Sequence, residues 1–268
     1  MKVVRSAAEV REELAAERGA GRSIGLVPTM GAFHAGHLSL IGASTARDDV
    51  TVVSLFVNPA QFGPAEDLAR YPRDEGGDAA AAEAAGVGIL FVPTVDEIYP
   101  PGFDTWVDPG ELATVLEGAV RPGHFRGVAT VCTKLFEIVQ PDRAYFGRKD
   151  AQQVAVVKQV VRDLALPLEI VACPTIRDPD GLALSSRNAY LSPDERAQAL
   201  ALPRALQAGA AAHRAGDDAE DAARAVLAES EGLEVDYVAL ADLDGPTLAG
   251  AVRVGATRLI DNVRLEGD

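Results

Sequence analysis

Residues 23–37 read SIGLVPTMGAFHAGH. The run over 23–27 is apolar and continuous, as in a buried strand; Pro28 and Gly31 end it, and His34-Ala35-Gly36-His37 starts a helix. Strand, glycine-bearing turn and helix in that order form the opening unit of a parallel α/β sheet. In such sheets ligands bind outside the carboxyl ends of the strands. The N–H groups of the helix's first turn point outward there, and Gly31 with Gly36 lets a phosphate approach the backbone.

Working outward, further strands are expected over 50–57, 87–92, 143–146 and 168–173. VTVVSLFV, the first of these, is apolar almost throughout, which suits a strand covered on both faces. Helical patterns fill the gaps. Ser6 with Glu9 is a capping box, 79–85 is alanine-rich, and 150–164 repeats apolar residues at Val154, Val157, Val160, Val161 and Leu164. The alternation predicts a doubly wound, Rossmann-like parallel sheet. After Cys173 the texture changes: RDPDG is a turn, and Ser192-Pro193-Asp194-Glu195 is a helix start that should run to about His213. A second helix over 219–229 and short strands over 235–240 and 257–265 complete a smaller α+β lid domain. The boundary is expected near 175, giving domains 1–175 and 176–268.

The chain has 268 residues, 48% hydrophobic and 24% charged, with a formal net charge of -15. That charge argues against a nucleic-acid or membrane surface, because both draw affinity from clustered Lys and Arg. Only four lysines exist, so any anion site must concentrate its positive groups locally. Cys132 and Cys173 lie in apolar runs without Cys or His at ligand spacing, and read as buried thiols. No run of eighteen apolar residues occurs, and MKVVRSAAEVREEL turns charged too soon for a signal peptide, so a cytoplasmic protein is expected.

Three of the four histidines, His34, His37 and His124, stand in glycine-rich sequence. Gly31 and Gly36 have P-loop spacing, but His37 replaces the lysine and Leu38 the magnesium-binding hydroxyl, so this is no Walker loop. A zinc reading fails too, since no glutamate follows His34 to make H-E-x-x-H. The plain structural alternative is that both imidazoles merely cap a helix.

H-x-G-H after a first strand resembles the signature of the nucleotidyltransferase superfamily, which attacks the α-phosphate of ATP. PTMGAFHAGH, FVNPAQF, RPGHFRGVATVCTKL, GRKDAQQ and LSSRN, in that order, are similar to the motif set of the pantothenate synthetase family, and the resemblance spans 23–265. It implies an ATP-dependent condensation of pantoate with β-alanine through a pantoyl adenylate, releasing AMP and pyrophosphate. It also implies magnesium with the ATP, no tightly bound organic cofactor, and a homodimer.

Residue by residue, the resemblance implies that Met30, Gly31, Ala32, Phe33, His34, Ala35, Gly36 and His37 line the ATP site. Gly147, Arg148, Lys149 and Asp150 after the fourth strand, Ile176 at adenine, and Leu184, Ser185, Ser186 and Arg187 in a mobile loop would complete it. His34, His37, Lys149 and Arg187 would be catalytic. Gln61 would hold pantoate and β-alanine, with Gln153, Asn58 and Arg121 on pantoate, and Asp78 would be a metal ligand. Departures from the family pattern are Leu184 for methionine, Arg148 for an acidic or amide residue, and Ala151 for an aromatic.

Overall fold

The computed structural model describes residues 1–63 and 68–265. Its strands are β1 (Lys2–Val4), β2 (Ile24–Thr29), β3 (Val50–Leu55), β4 (Ile89–Phe91), β5 (Arg143–Gly147), β6 (Glu169–Cys173), β7 (Leu233–Asp242), β8 (Pro246–Val254) and β9 (Thr257–Arg264). The chain divides into two compact units. One comprises Met1–Phe146 with Gln153–Cys173, the other Gly147–Gln152 with the chain from Pro174 onward.

In the first unit six strands form one sheet in the order β1-β4-β3-β2-β5-β6, and the pairings β1–β4, β4–β3, β3–β2 and β2–β5 are parallel. Continuous apolar strands fit because both faces are covered. Leu26, Val52, Ile89, Phe91, Ala144 and Phe146 pack with the helices Ala7–Gly19, His124–Val139 and Ala151–Asp163. Their neighbours Val27, Val53, Leu90 and Tyr145 turn the other way, to Leu40 and Ile41 of helix Ala35–Arg47 and Ala82 of helix Glu75–Ala84. Strand order runs outward from β2 through β3 and β4 on one side and through β5 and β6 on the other. The switch point, where ligands bind in such sheets, therefore lies at the carboxyl ends of β2 and β5. The edge strand β1 was not expected: it has three residues, of which only Val4 is buried.

In the second unit β7, β8 and β9 form an antiparallel meander, with helices Ala201–Ala215 and Ala219–Ala228 sharing its core. Three strands stand where two were expected. β8, PTLAGAVRV, is buried along most of its length but built largely from residues that read as turn and helix formers. The single helix expected from Ser192 to His213 is two, Pro193–Ala199 and Ala201–Ala215. Pro203 has no N–H to return to Ala199, so the ladder breaks and restarts with proline inside a first turn. Gly147–Gln152 groups with this unit although it precedes residue 175, because a side chain of β9 grips its backbone.

Candidate active site

The helix Ala35–Arg47 begins with a cap made by two histidines. His34 is the N-cap, and its Nδ1 accepts the Gly36 N–H at 3.1 Å; Nδ1 of His37, three residues on, accepts the His34 N–H at 3.4 Å. The rings lie 4.1 Å apart, tilted by 36°. Imidazoles thus take the roles of serine and glutamate in an ordinary capping box. Capping and chemistry are compatible here. An Nδ1 that accepts a backbone proton leaves the proton of the neutral ring on Nε2, so both rings become Nε2–H donors.

The loop before them, residues 31–33, turns through the left-handed region at Gly31 (φ +91°) and at Ala32 (φ +53°). A Cβ on Gly31 would come within 2.7 Å of Leu55 Cδ1 and 2.9 Å of Asp78 Oδ2, so glycine is required there. Asp78, expected to bind metal, braces this loop. It is 4% exposed, and its oxygens accept the N–H groups of Ala32 at 2.9 Å and Phe33 at 2.7 Å. Beside the loop, Met30, Leu55, Phe56, Val57, Val92 and Asp78 line a cavity of about 300 Å³. Among the described residues no cluster of three His, Cys, Asp or Glu could hold a metal ion.

Asn58 and Gln61 sit on the turn after β3. Asn58 is buried and fully committed: its amide donates to Gln61 Oε1 at 2.9 Å and Gly127 O at 3.2 Å, and its Oδ1 accepts from Ala60 N at 3.2 Å and Tyr99 Oη at 2.9 Å. Four bonds exhaust an asparagine side chain. Burial holds the Tyr99 phenol above its ordinary pKa, so it remains a donor. These bonds orient Gln61, and Asn58, expected on pantoate, would have to give one up to reach a substrate. With Oε1 taken, Gln61 presents its NH₂ as a donor. Arg121, expected on pantoate, reaches Gln61 O at 3.3 Å, and its Nη1 lies 3.0 Å from His124 Nε2, whose Nδ1 bonds the same carbonyl at 2.8 Å. Both side chains steady the turn that bears Gln61. Gln153 is half-buried in the first turn of Ala151–Asp163.

In the second unit, the one-turn 3₁₀ helix Arg148–Asp150 follows Gly147. Asn262 Nδ2 donates to Arg148 O and Lys149 O, 2.8 Å each, which ties this turn to β9 and accounts for its grouping. Arg148, whose charge departs from the family pattern, pairs with Asp244 at 3.4 Å. Lys149, largely shielded, has Asp150 at 4.0 Å as an ion-pair partner. Ile176 O accepts the Leu184 N–H at 2.9 Å, Ser185 Oγ caps the Arg187 N–H at 3.3 Å, and Ser186 opens the 3₁₀ turn Ser186–Tyr190. Ser186 and Arg187 are half-buried. Sequence reading missed Asp78 as a brace, Asn262 and Asp261; their partners lie so far along the chain that no local pattern signals them.

The pantoate-beta-alanine ligase family model matches residues 2–264. The pantothenate synthetase of Roseiflexus castenholzii is 53% identical across 99% of this chain and 100% of its own length, and pantothenate synthetase 1 of Bradyrhizobium diazoefficiens is 54% identical across 99% and 98%. A crystal structure of pantothenate synthetase from Thermus thermophilus superposes with a TM-score of 0.93 at 45% identity, covering 100% of both chains. That of the pantoate-beta-alanine ligase from Francisella tularensis, complexed with beta-gamma ATP and β-alanine, gives 0.84 at 34% identity over 100% of this chain and 99% of that one.

Proposed function

This chain belongs to the pantoate-beta-alanine ligase family and joins pantoate to β-alanine as pantothenate; we propose that it does so through a pantoyl adenylate formed from ATP. The observation that carries the reading is the double-histidine cap at the carboxyl end of β2, where two Nε2–H donors and the first N–H groups of a helix share one end of the strand. Such an end favours anionic oxygens. The Francisella relative, complexed with an ATP analogue and β-alanine, supports both substrates.

In the first step a pantoate carboxylate oxygen attacks the α-phosphorus, the bond from that phosphorus to the bridging oxygen breaks, and pyrophosphate leaves. His34, His37, Lys149 and Arg187 offset the charge that develops on the phosphate oxygens. Gln61, held by Asn58, donates to pantoate from one side and Gln153 assists from the other. In the second step the β-alanine amine attacks the acyl carbon, the bond from that carbon to the phosphate oxygen breaks, AMP departs, and the nitrogen gives up a proton to solvent. Magnesium would come with the ATP phosphates and help to neutralise their charge. Asp78 holds the loop backbone with one N–H on each carboxylate oxygen, so any contact it made with that ion would be added to this bracing role. The family resemblance supports a homodimer working in the cytoplasm; no helix among the described residues is long and apolar enough to cross a membrane.

The test is pyrophosphate exchange. Labelled pyrophosphate should enter ATP with pantoate and magnesium present and β-alanine absent, and complete turnover should give AMP and no ADP. Exchange that needs β-alanine would refute the two-step order, and ADP would mean attack at the γ-phosphate.

A further inference from the structure

Two consecutive residues of β9, Asp261 and Asn262, have no part in the chemistry above, yet they are polar, 4% and 9% exposed, and bonded to both segments of the second unit assigned to the triphosphate. Asn262 donates from its amide to Arg148 O and to Lys149 O, both at 2.8 Å. Asp261 takes the guanidinium of Arg177 as a fork, Nη1 to Oδ2 at 2.6 Å and Nη2 to Oδ1 at 2.9 Å. Arg177 Nη1 also donates to Gly181 O at 3.1 Å, and Arg177 bridges Ala183 in an antiparallel pair. Asn188 Nδ2 closes the same strap onto Ala183 O at 3.0 Å, with residues 185–187 between. The two fasteners are joined as well, since Asp261 Oδ1 accepts the N–H of Asn262 at 2.8 Å.

The 3₁₀ turn Arg148–Asp150 leads directly into helix Ala151–Asp163, which secures its carboxyl side, but one such turn returns too few hydrogen bonds of its own to fix the rest. The position of the Lys149 ammonium therefore depends on what grips its backbone, and the same holds for Arg187 in its strap. We propose that Asp261 and Asn262 form a positioning pair: Asn262 sets the backbone of Lys149, Asp261 sets through Arg177 the strap that carries Arg187, and one rigid strand fixes the spacing of the two cations. The inference rests on the reading that Lys149 and Arg187 act on the triphosphate in adenylation.

The experiment is a pair of double-mutant cycles on the full chain, read by pantoate-dependent exchange of pyrophosphate into ATP and by thermal melting. Asn262→Ala should slow exchange about 10- to 100-fold, the scale of a misplacement near 1 Å. In the Lys149→Met background it should add little, because the group being positioned is gone. Asp261→Asn should behave likewise against Arg187→Met. The KM for β-alanine in the complete reaction should stay unchanged in both single variants. Should Asn262→Ala fold poorly, Asn262→Ser, which satisfies one carbonyl, reads the same cycle with a smaller loss. If Lys149→Met is impaired and Asn262→Ala adds its loss in full, or if the Asn262 defect vanishes once the assay is cooled well below the melting point, the pair is merely structural and the proposal fails. A near-normal exchange rate in Lys149→Met alone would instead overturn the role of Lys149, an outcome separable from the first.

Discussion

The helix start at His34 and the turn at Lys149 serve the same proposed chemistry, offering donors and positive charge to phosphate, but they are held by opposite means. At His34 the grips are local: Gly36 N–H on His34 and His34 N–H on His37, two and three residues apart. Only Asp78, 45 and 46 residues from the N–H groups it holds, is remote. At Lys149 the grip on the backbone comes from Asn262, 113 residues on. A locally held site tolerates changes elsewhere and shows in a motif. A remotely held one depends on a second strand and shows in no motif.

The largest effect should come from separating cap from catalysis at the first site. His37→Ala should lower turnover by about 10²–10³, the loss typical of one transition-state donor, and should cost about 0.5–1 kcal/mol because the cap is lost too. His37→Gln puts the usual capping-box amide at that position. It should restore the melting temperature without restoring the rate. If both return, the histidines are caps and nothing more. At the second site, Lys149→Met should slow pyrophosphate exchange about 10²-fold with little change in melting, because its backbone grip survives. Unfolding without selective loss of exchange would erase the contrast between the two sites.

Two smaller effects sharpen the comparison at the one place where the first site relies on a distant residue. Asp78→Asn leaves one acceptor for two N–H groups, so stability should fall by about 1–3 kcal/mol and exchange by about tenfold. A variant with normal melting but reduced magnesium dependence would restore Asp78 to the metal. Smallest of all, Ala32→Gly should stabilise by about 1 kcal/mol, since alanine at φ +53° bears the left-handed penalty. Lowered melting would contradict that backbone geometry.

The same contrast accounts for what could be read in the sequence. β2 to β6 were legible because apolar runs bounded by turn residues leave a strong signal, even in the half-exposed edge strand β6. β1, three residues long, and β8, rich in alanine and glycine, left none. The small side chains of β8 make sense only against the helix above it: a Cβ at Gly250 would sit 3.0 Å from Leu202. His34 and His37 stood out through their glycines, and Gln61 only through the family resemblance. The saturation of Asn58 was hidden because Tyr99 and Gly127, which complete it, belong to other elements. The pairing of Arg148 with Asp244, in a turn 96 residues away, left no local signal either.

The hold of Asn262 on residue 149 also sets a clock. At the usual pace of synthesis 113 residues take roughly 6–23 s. The βα segment bearing both histidines can begin to fold while the ribosome is still working, but the lysine turn must wait for the last strand to emerge. A half-made chain would therefore carry the double-histidine cap before anything grips the backbone of Lys149.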